Sequence, residues 1–361
     1  MSVLLAARRS AVVPRGGAFA GLEPHALAAP VIAAVLEAAG IAPRETGQLI
    51  LSNALGAGGN PARMAALAAG MGHVAGLSLD AQCAGGLEAV ALGAALVDAG
   101  QARVVVAGGA ESYSRRPLRA RQTPEGVPQF YARPPFSPDP AADPDMTAAA
   151  AALADAHGIS RAAQDAYAVA SHASALAARD RLRAEIVPVL GVADDPFARA
   201  LSPRLAARSP ALAGSVSLAA TACEADAAAF CVIVADDLAP PGAGLRLLGH
   251  AATGGDSRQP GIAPVAAIRQ LLGEGPAPEV IELMEAYAVQ AILCQRLAGL
   301  PPERINPGGG ALARGHPIGA SGAVLLCRAM AELERRPGRA LCAIAAAGGI
   351  GSALLLGPRQ G

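Results

Sequence analysis

Two side chains in this 361-residue chain stand where chemistry would be mounted. Cys83 follows a short strand-like run, Ser78–Gln82, and precedes Ala84-Gly85-Gly86, after which a helix is expected to about Ala99. A thiol at that joint meets the unpaired N–H groups and positive partial charge of a helix N-terminus, which favour a thiolate. The small residues behind it let a substrate approach the sulfur. The chemistry on offer is nucleophilic catalysis. The competing reading is a small core residue, the commoner fate of a free cysteine. His316 lies between Gly315 and Pro317 and is followed by Ile318-Gly319-Ala320-Ser321-Gly322, which suggests a packed apex. Its competing reading is a structural histidine bonded to backbone.

The elements that must hold these groups alternate. Val3–Ala7 reads as a strand, Pro24–Gly40 as a helix stopping at glycine, and Gln48–Leu55 as a buried strand. The run 56–61 reads as a turn and Ala62–Gly70 as a small-residue helix. After Cys83 and its helix, the strand Arg103–Ala107 ends in Gly108-Gly109. Such alternation predicts an α/β domain with a mainly parallel sheet. Arg115–Asp145, rich in proline and arginine and without period, predicts loop. Helices are expected over Met146–His157, Arg161–Ala178 and Arg179–Ala184, with Ser160 as an N-cap and a short strand at Glu185–Val189. Ala219–Ala229 is expected to be helix and Phe230–Ala235 strand.

The remainder repeats this plan. Strands are expected at Leu245–His250, Glu279–Leu283, Leu341–Ala347 and Ser352–Leu356, with helices at Gly261–Leu272, Tyr287–Leu297 and Ala323–Glu334. A small-residue joint, a helix, an arginine, an apolar strand and a double glycine follow Cys83 and recur after His316. That order suggests an internal duplication, each copy presenting one reactive side chain at a shared interface. The domains expected are 1–114 with 219–241, an inserted loop domain 115–218, and 242–361.

Composition excludes several classes. Lys+Arg and Asp+Glu each number 29, every basic side chain is arginine, and no long-range field recruits nucleic acid or anionic lipid. Six cysteines, Cys83, Cys223, Cys231, Cys294, Cys327 and Cys342, lack metal-type spacing, so no metal is expected. They do not form a small disulfide scaffold. Met1–Ser10 is the reverse of a secretory signal, and no apolar span has transmembrane length. The expectation is a soluble cytoplasmic protein.

The run Asn306-Pro307-Gly308-Gly309-Gly310-Ala311-Leu312-Ala313-Arg314-Gly315-His316-Pro317-Ile318-Gly319-Ala320-Ser321-Gly322 resembles the C-terminal signature of thiolases. Ala107-Gly108-Gly109-Ala110-Glu111-Ser112 resembles the block after their nucleophile helix. Gly158–Arg161 with Gln164-Asp165, Glu185–Val189, Asn60–Arg63 and Glu285–Ala288 fit other landmarks in the family's order. The resemblance implies the thiolase fold, duplicated α-β-α-β-α halves in five layers with an inserted, mostly helical loop domain. It implies acyl-CoA as substrate rather than a resident cofactor. It also implies Cys83 as the acyl-accepting nucleophile and His316 as its base. The backbone N–H groups of Cys83 and Ala347 would form an oxyanion hole, and Met146, Gly348 and Gly349 would contact substrate.

Three positions depart from the family where its chemistry lies. Counting back from Gly348-Gly349-Ile350-Gly351 puts Ala345 at the second cysteine. Met284 replaces the asparagine that would hold an oxyanion-hole water, and Ala222 replaces a pantetheine-contacting serine. Ala220, Gly85 and Ala151 also replace polar residues. Cys342 is three residues from Ala345, which turns it to the opposite strand face. Acylation of Cys83 is therefore expected to survive, with transfer to an activated, carbon-type acceptor. The alternatives are a conventional acetyl-CoA C-acyltransferase with a substituted acid/base, or a non-catalytic subunit of a heteromeric complex. Tyr113 and Tyr287 are the nearby hydroxyls. A homodimer through the first-half sheet edges is expected, because Arg115–Asp145 is shorter than the family's tetramer-forming loop. Arg115, Arg116, Arg119 and Arg121 would meet coenzyme A phosphates, an acidic partner or only solvent.

Overall fold

The structure, a computed structural model, describes residues 1–56 and 58–359; the turn expected over 56–61 includes Ala57, outside that set. The first half supplies strands β1 (Ser2–Ser10), β2 (Gln48–Ser52), β3 (Leu77–Leu79), β4 (Val104–Glu111) and β5 (Ala225–Ala235). Its helices are α1 (Pro24–Ala39), α2 (Pro61–Ala68) and α3 (Gly85–Asp98). Helix α1 ends where Gly40 adopts φ 67, a left-handed cap that a side chain would strain. The inserted region carries α4 (Met146–Ala156) and α5 (Arg161–Ala177), the latter capped by the Ser160 side chain. The second half supplies β6 (Leu245–Gly254), β7 (Val280–Leu283), β8 (Ala340–Ala346) and β9 (Ile350–Pro358). Its helices are α6 (Pro264–Leu272), α7 (Ala288–Ala298) and α8 (Ile318–Leu333).

The duplication is visible in the pairing. The first half runs β3-β2-β4-β5-β1 across the sheet and the second runs β7-β8-β9-β6. In both, one inner pair is parallel (β2 with β4, β7 with β8) and the next two are antiparallel. A lone parallel bridge, Ile281 to Ile305, stands where β3 stands in the first half. Among the described residues the two half-sheets are joined in strand pairing through Leu4 and Leu245. Antiparallel pairs thus hold a larger share than the mainly parallel sheet expected. The reason is that β5 enters after the inserted region, and β8 and β9 form a hairpin across Gly348 and Gly349, at φ 78 and 80.

Three apolar clusters fill the spaces between layers. One packs α1 and α2 on the outer face of the first half-sheet, and another packs α6 and α7 on the outer face of the second. The largest lies between the half-sheets around α3 and α8. The layers are therefore helix, sheet, helix, sheet, helix. Burial on both faces explains the main error of the sequence reading. Ala219–Ala229 has helix-forming composition, yet Ala225–Ala229 lies in β5, a strand covered on both sides. The loop expected over Arg115–Asp145 contains a hairpin, Arg119–Gln122 with Pro128–Tyr131, and a short helical turn at Pro140–Ala142. Its strands are exposed and carry no apolar alternation to reveal them.

A buried ion network ties the inserted region to both halves. Arg9 on β1 meets Glu185 at 2.6 Å and Asp195 at 2.8 Å, while Arg328 on α8 meets Glu185 and Glu332. Removing one partner would leave a buried charge uncompensated, a cost of about 3–5 kcal/mol.

Candidate active site

Helices α3 and α8 meet backbone to backbone at their first turns. A Cβ on Gly86 would lie 2.4 Å from the Ala323 nitrogen, and one on Gly322 would lie 2.5 Å from the Leu87 nitrogen. Gly109 on β4 likewise admits the Gly319 carbonyl, which a Cβ would approach to 2.3 Å. These contacts require glycine, and they bring the two reactive residues together, since each precedes one of the helices. Gln82 before Cys83 has φ 52, an uncommon left-handed turn held by its amide and side chain on Asp80. Gly85, expected to be serine by family pattern, is enforced by Ser52, whose Oγ lies 2.0 Å from where a Cβ would fall.

Cys83 Sγ lies 3.1 Å from His316 Nε2. His316 Nδ1 lies 2.7 Å from Ser321 Oγ, one turn into α8, and the His316 amide donates to the Cys223 carbonyl at 2.8 Å. Donation from Nδ1–H to Ser321 leaves Nε2 free to accept the thiol proton. Ser321 stood in the signature run without an assigned role; its place one turn past the histidine was the available signal. Glu111 fixes the same corner. Its buried carboxylate accepts from Asn53 Nδ2, the Ala54 and Leu55 amides, and the Gly319 amide that opens α8.

The electrostatics correct the thiolate expected from the helix terminus. Burial pushes the Cys83 thiol up to about 12, with Glu111 and Asp80 adding to the rise. The backbone N–H groups of Cys83 and Ala347 aim at the sulfur and pull the other way without prevailing. Burial lowers His316 to about 4. Both shifts favour the neutral thiol and the neutral imidazole at rest.

Both side chains open into one cavity of about 330 Å3. Its wall is largely apolar and includes Phe136, Met146, Leu153, Ile318 and Ala222. Ala345 and Ala347, at the end of β8, lie in the same wall. Cys342 points instead into the core between the half-sheets, as its offset predicted. Met284 is 1 % exposed and packs in that core. Gly348 and Gly349 do not line the cavity; they turn beyond it against the backbone of Phe136 and Asp256. The arginines of the inserted region are mostly engaged. Arg115 pairs with Glu23, Arg116 with Glu224, Arg119 donates to the Ala54 and Leu55 carbonyls, and Arg121 stacks on Tyr131. Among the described residues no cluster of three or more His, Cys, Asp or Glu could hold a metal, and no helix is long and apolar enough to cross a membrane.

Residues 2–235 match the family described as the thiolase N-terminal domain, and residues 243–357 match the thiolase C-terminal domain. The chain belongs to the thiolase family and is an acyltransferase of that superfamily. Its relatives include "Putative acetyl-CoA C-acetyltransferase YhfS" of Bacillus subtilis (strain 168), 37 % identical with 98 % of each chain covered. VraB of Staphylococcus aureus (strain MRSA252), which carries the same description, is 33 % identical with the same coverage. Among solved structures, the Bacillus anthracis acetyl-CoA acetyltransferase superposes with a TM-score of 0.91 at 29 % identity, covering 99 % of this chain and 98 % of that one.

Proposed function

We propose that Cys83 takes an acyl group from an acyl-CoA, or from a carrier-bound thioester, and passes it to a carbon that is already nucleophilic. The observation that carries this reading is the 3.1 Å contact of sulfur and imidazole in a wall where Ala345 offers only a methyl group. Attack needs a nucleophile, a base and donors for the oxyanion; Cys83, His316 and the two backbone N–H groups supply them. Ordinary condensation also needs a second proton-transfer group near the acceptor carbon, and Ala345 cannot provide it. A phenol-type ring, a 1,3-diketone, or a malonyl unit losing carbon dioxide would not require it.

Incubation with acetyl-CoA and longer acyl-CoAs, followed by intact mass measurement, tests the reading. The expected result is one acyl increment on Cys83, abolished in Cys83→Ala. No increment with any donor would leave the non-catalytic subunit reading, which the replacements at Met284 and Ala345 favour. Brisk thiolysis of acetoacetyl-CoA would instead support the activity named in the relatives.

A further inference from the structure

Besides the Cys83–His316 pair, the cavity wall carries three titratable side chains: Glu224, Tyr287 and Tyr113. Two are committed. Glu224 is held by Arg15 at 2.7 Å and by Arg116 at 3.4 Å. The Tyr287 hydroxyl lies 3.0 Å from Thr147 Oγ1. Tyr113 is 8 % exposed, with Arg116 standing over its ring at 5.6 Å, and no hydrogen bond to its hydroxyl is found among the described residues. A phenol buried in an apolar wall ordinarily finds a partner. Here the cavity that Tyr113 lines together with Cys83 and His316 offers the place for that partner.

We propose that Tyr113 is a catalytic hydrogen-bond donor of the transfer step, its phenol donating to an oxygen of the acyl acceptor. This rests on the acyl-enzyme reading above and names the acceptor class: a carbon nucleophile bearing an oxygen, such as an enolised 1,3-diketone or a phenol. The step balances without another reagent. The acceptor enters as its enol, and its hydroxyl proton passes to His316 Nε2 while its carbon attacks the acyl carbon. The bond from that carbon to sulfur breaks, and His316 returns the proton to Cys83. A diketone leaves as the C-acylated ketone, and a phenol leaves as the acylated dienone, which regains its aromatic ring by moving the proton of the acylated carbon to the ring oxygen. Tyr113 keeps its own proton throughout, because burial and the neighbouring Cys83, Glu224 and Glu111 hold its pKa well above the ordinary phenol value. It is a donor, not a replacement base. It supplies to the acceptor oxygen the electrophilic contact that Met284, buried in the core, cannot organise.

The test compares the wild-type protein with Tyr113→Phe, using acetyl-CoA as donor and 2,4-pentanedione or phloroglucinol as acceptor. Acetylation of Cys83 is expected to proceed within about threefold of wild type, while discharge to either acceptor slows about 10²-fold. In a Cys83→Ala background, equilibrium dialysis should show 2,4-pentanedione binding, and Tyr113→Phe should weaken it. Discharge at the wild-type rate in Tyr113→Phe would overturn the proposal, as would equal slowing of both steps. Acetylation of the wild type without discharge to either acceptor also overturns it and leaves the acyl-enzyme reading standing. Failure of the wild type to acetylate overturns the acyl-enzyme reading itself.

Discussion

Ala345→Cys places a thiol where the family pattern has one. Ala345 is 8 % exposed and opens on the cavity that Cys83 and His316 share, opposite Gly351 in the β8–β9 hairpin. Ala345 lines a cavity rather than a closed core, so the full ~1–3 kcal/mol cost of overpacking is not expected. A positioned proton-transfer group contributes ~10²–10⁴-fold. Met284 would remain, and a missing oxyanion contact costs ~10²–10³-fold. Thiolysis of acetoacetyl-CoA should therefore rise by ~10²-fold or more in Ala345→Cys, yet stay well below a complete thiolase. The assay follows loss of the acetoacetyl-CoA enolate absorbance, with acetylation of Cys83 as an internal control that should not change. Alkylation of the new thiol establishes its accessibility. If the new thiol alkylates and acetylation is intact but thiolysis does not rise, the account of Ala345 as the missing group is refuted. Turnover of ~1–10³ s⁻¹ by the unmodified protein would refute it equally.

The acylation step should be nearly flat from about pH 5 to about pH 9, because His316 is lowered to about 4 and Cys83 raised to about 12. A bell centred near neutrality, read from single-turnover acylation, would show an ion pair at rest instead. Glu282 has both carboxylate oxygens buried without a hydrogen bond, Arg328 Nη2 lying 3.8 Å away, and burial raises its pKa to about 7. A raised carboxyl makes the folded state bind the proton more tightly than the unfolded one, so stability falls as pH climbs from the ordinary carboxyl range through about 7. Glu282→Gln should thus gain ~1–3 kcal/mol at pH 8 in urea unfolding and little at pH 4; a loss at pH 8 would contradict this. Gly86→Ala should lower stability by ~1–3 kcal/mol and slow acylation, since its methyl meets the α8 backbone; an unchanged melting temperature would count against the helix contact as the organiser of the site. Light scattering should give a dimer, with β3 as the free edge that exposes Leu77 beside Met64 and Leu67; a monomer or a tetramer would refute that assignment.

The sequence carried the joint and the repeat because both are written in local types. Glycines at 85, 86, 319 and 322 announce close approach, and the order of elements after Cys83 recurs after His316. What it could not carry was the balance of opposing effects at the site. The helix terminus and the backbone donors do favour the thiolate, as the residue order implied. Burial opposes them with a larger effect, and burial belongs to the assembled layers, to which both half-sheets contribute. Alanine hid β5 for a related reason, since Ala225–Ala229 has no strand signal of its own and is a strand only because sheet neighbours bond it on both edges. The same dependence on assembly governs the site. The thiol and the imidazole stand 3.1 Å apart in a largely apolar cavity wall, and on the proposed reading that wall takes an acceptor that brings its own reactivity. On the proposed acyl-enzyme reading, the departures at Ala345 and Met284 act on one half-reaction only. That reading requires acylation to be intact and the burden of the second step to fall on the acceptor, which is why the two steps must be measured separately.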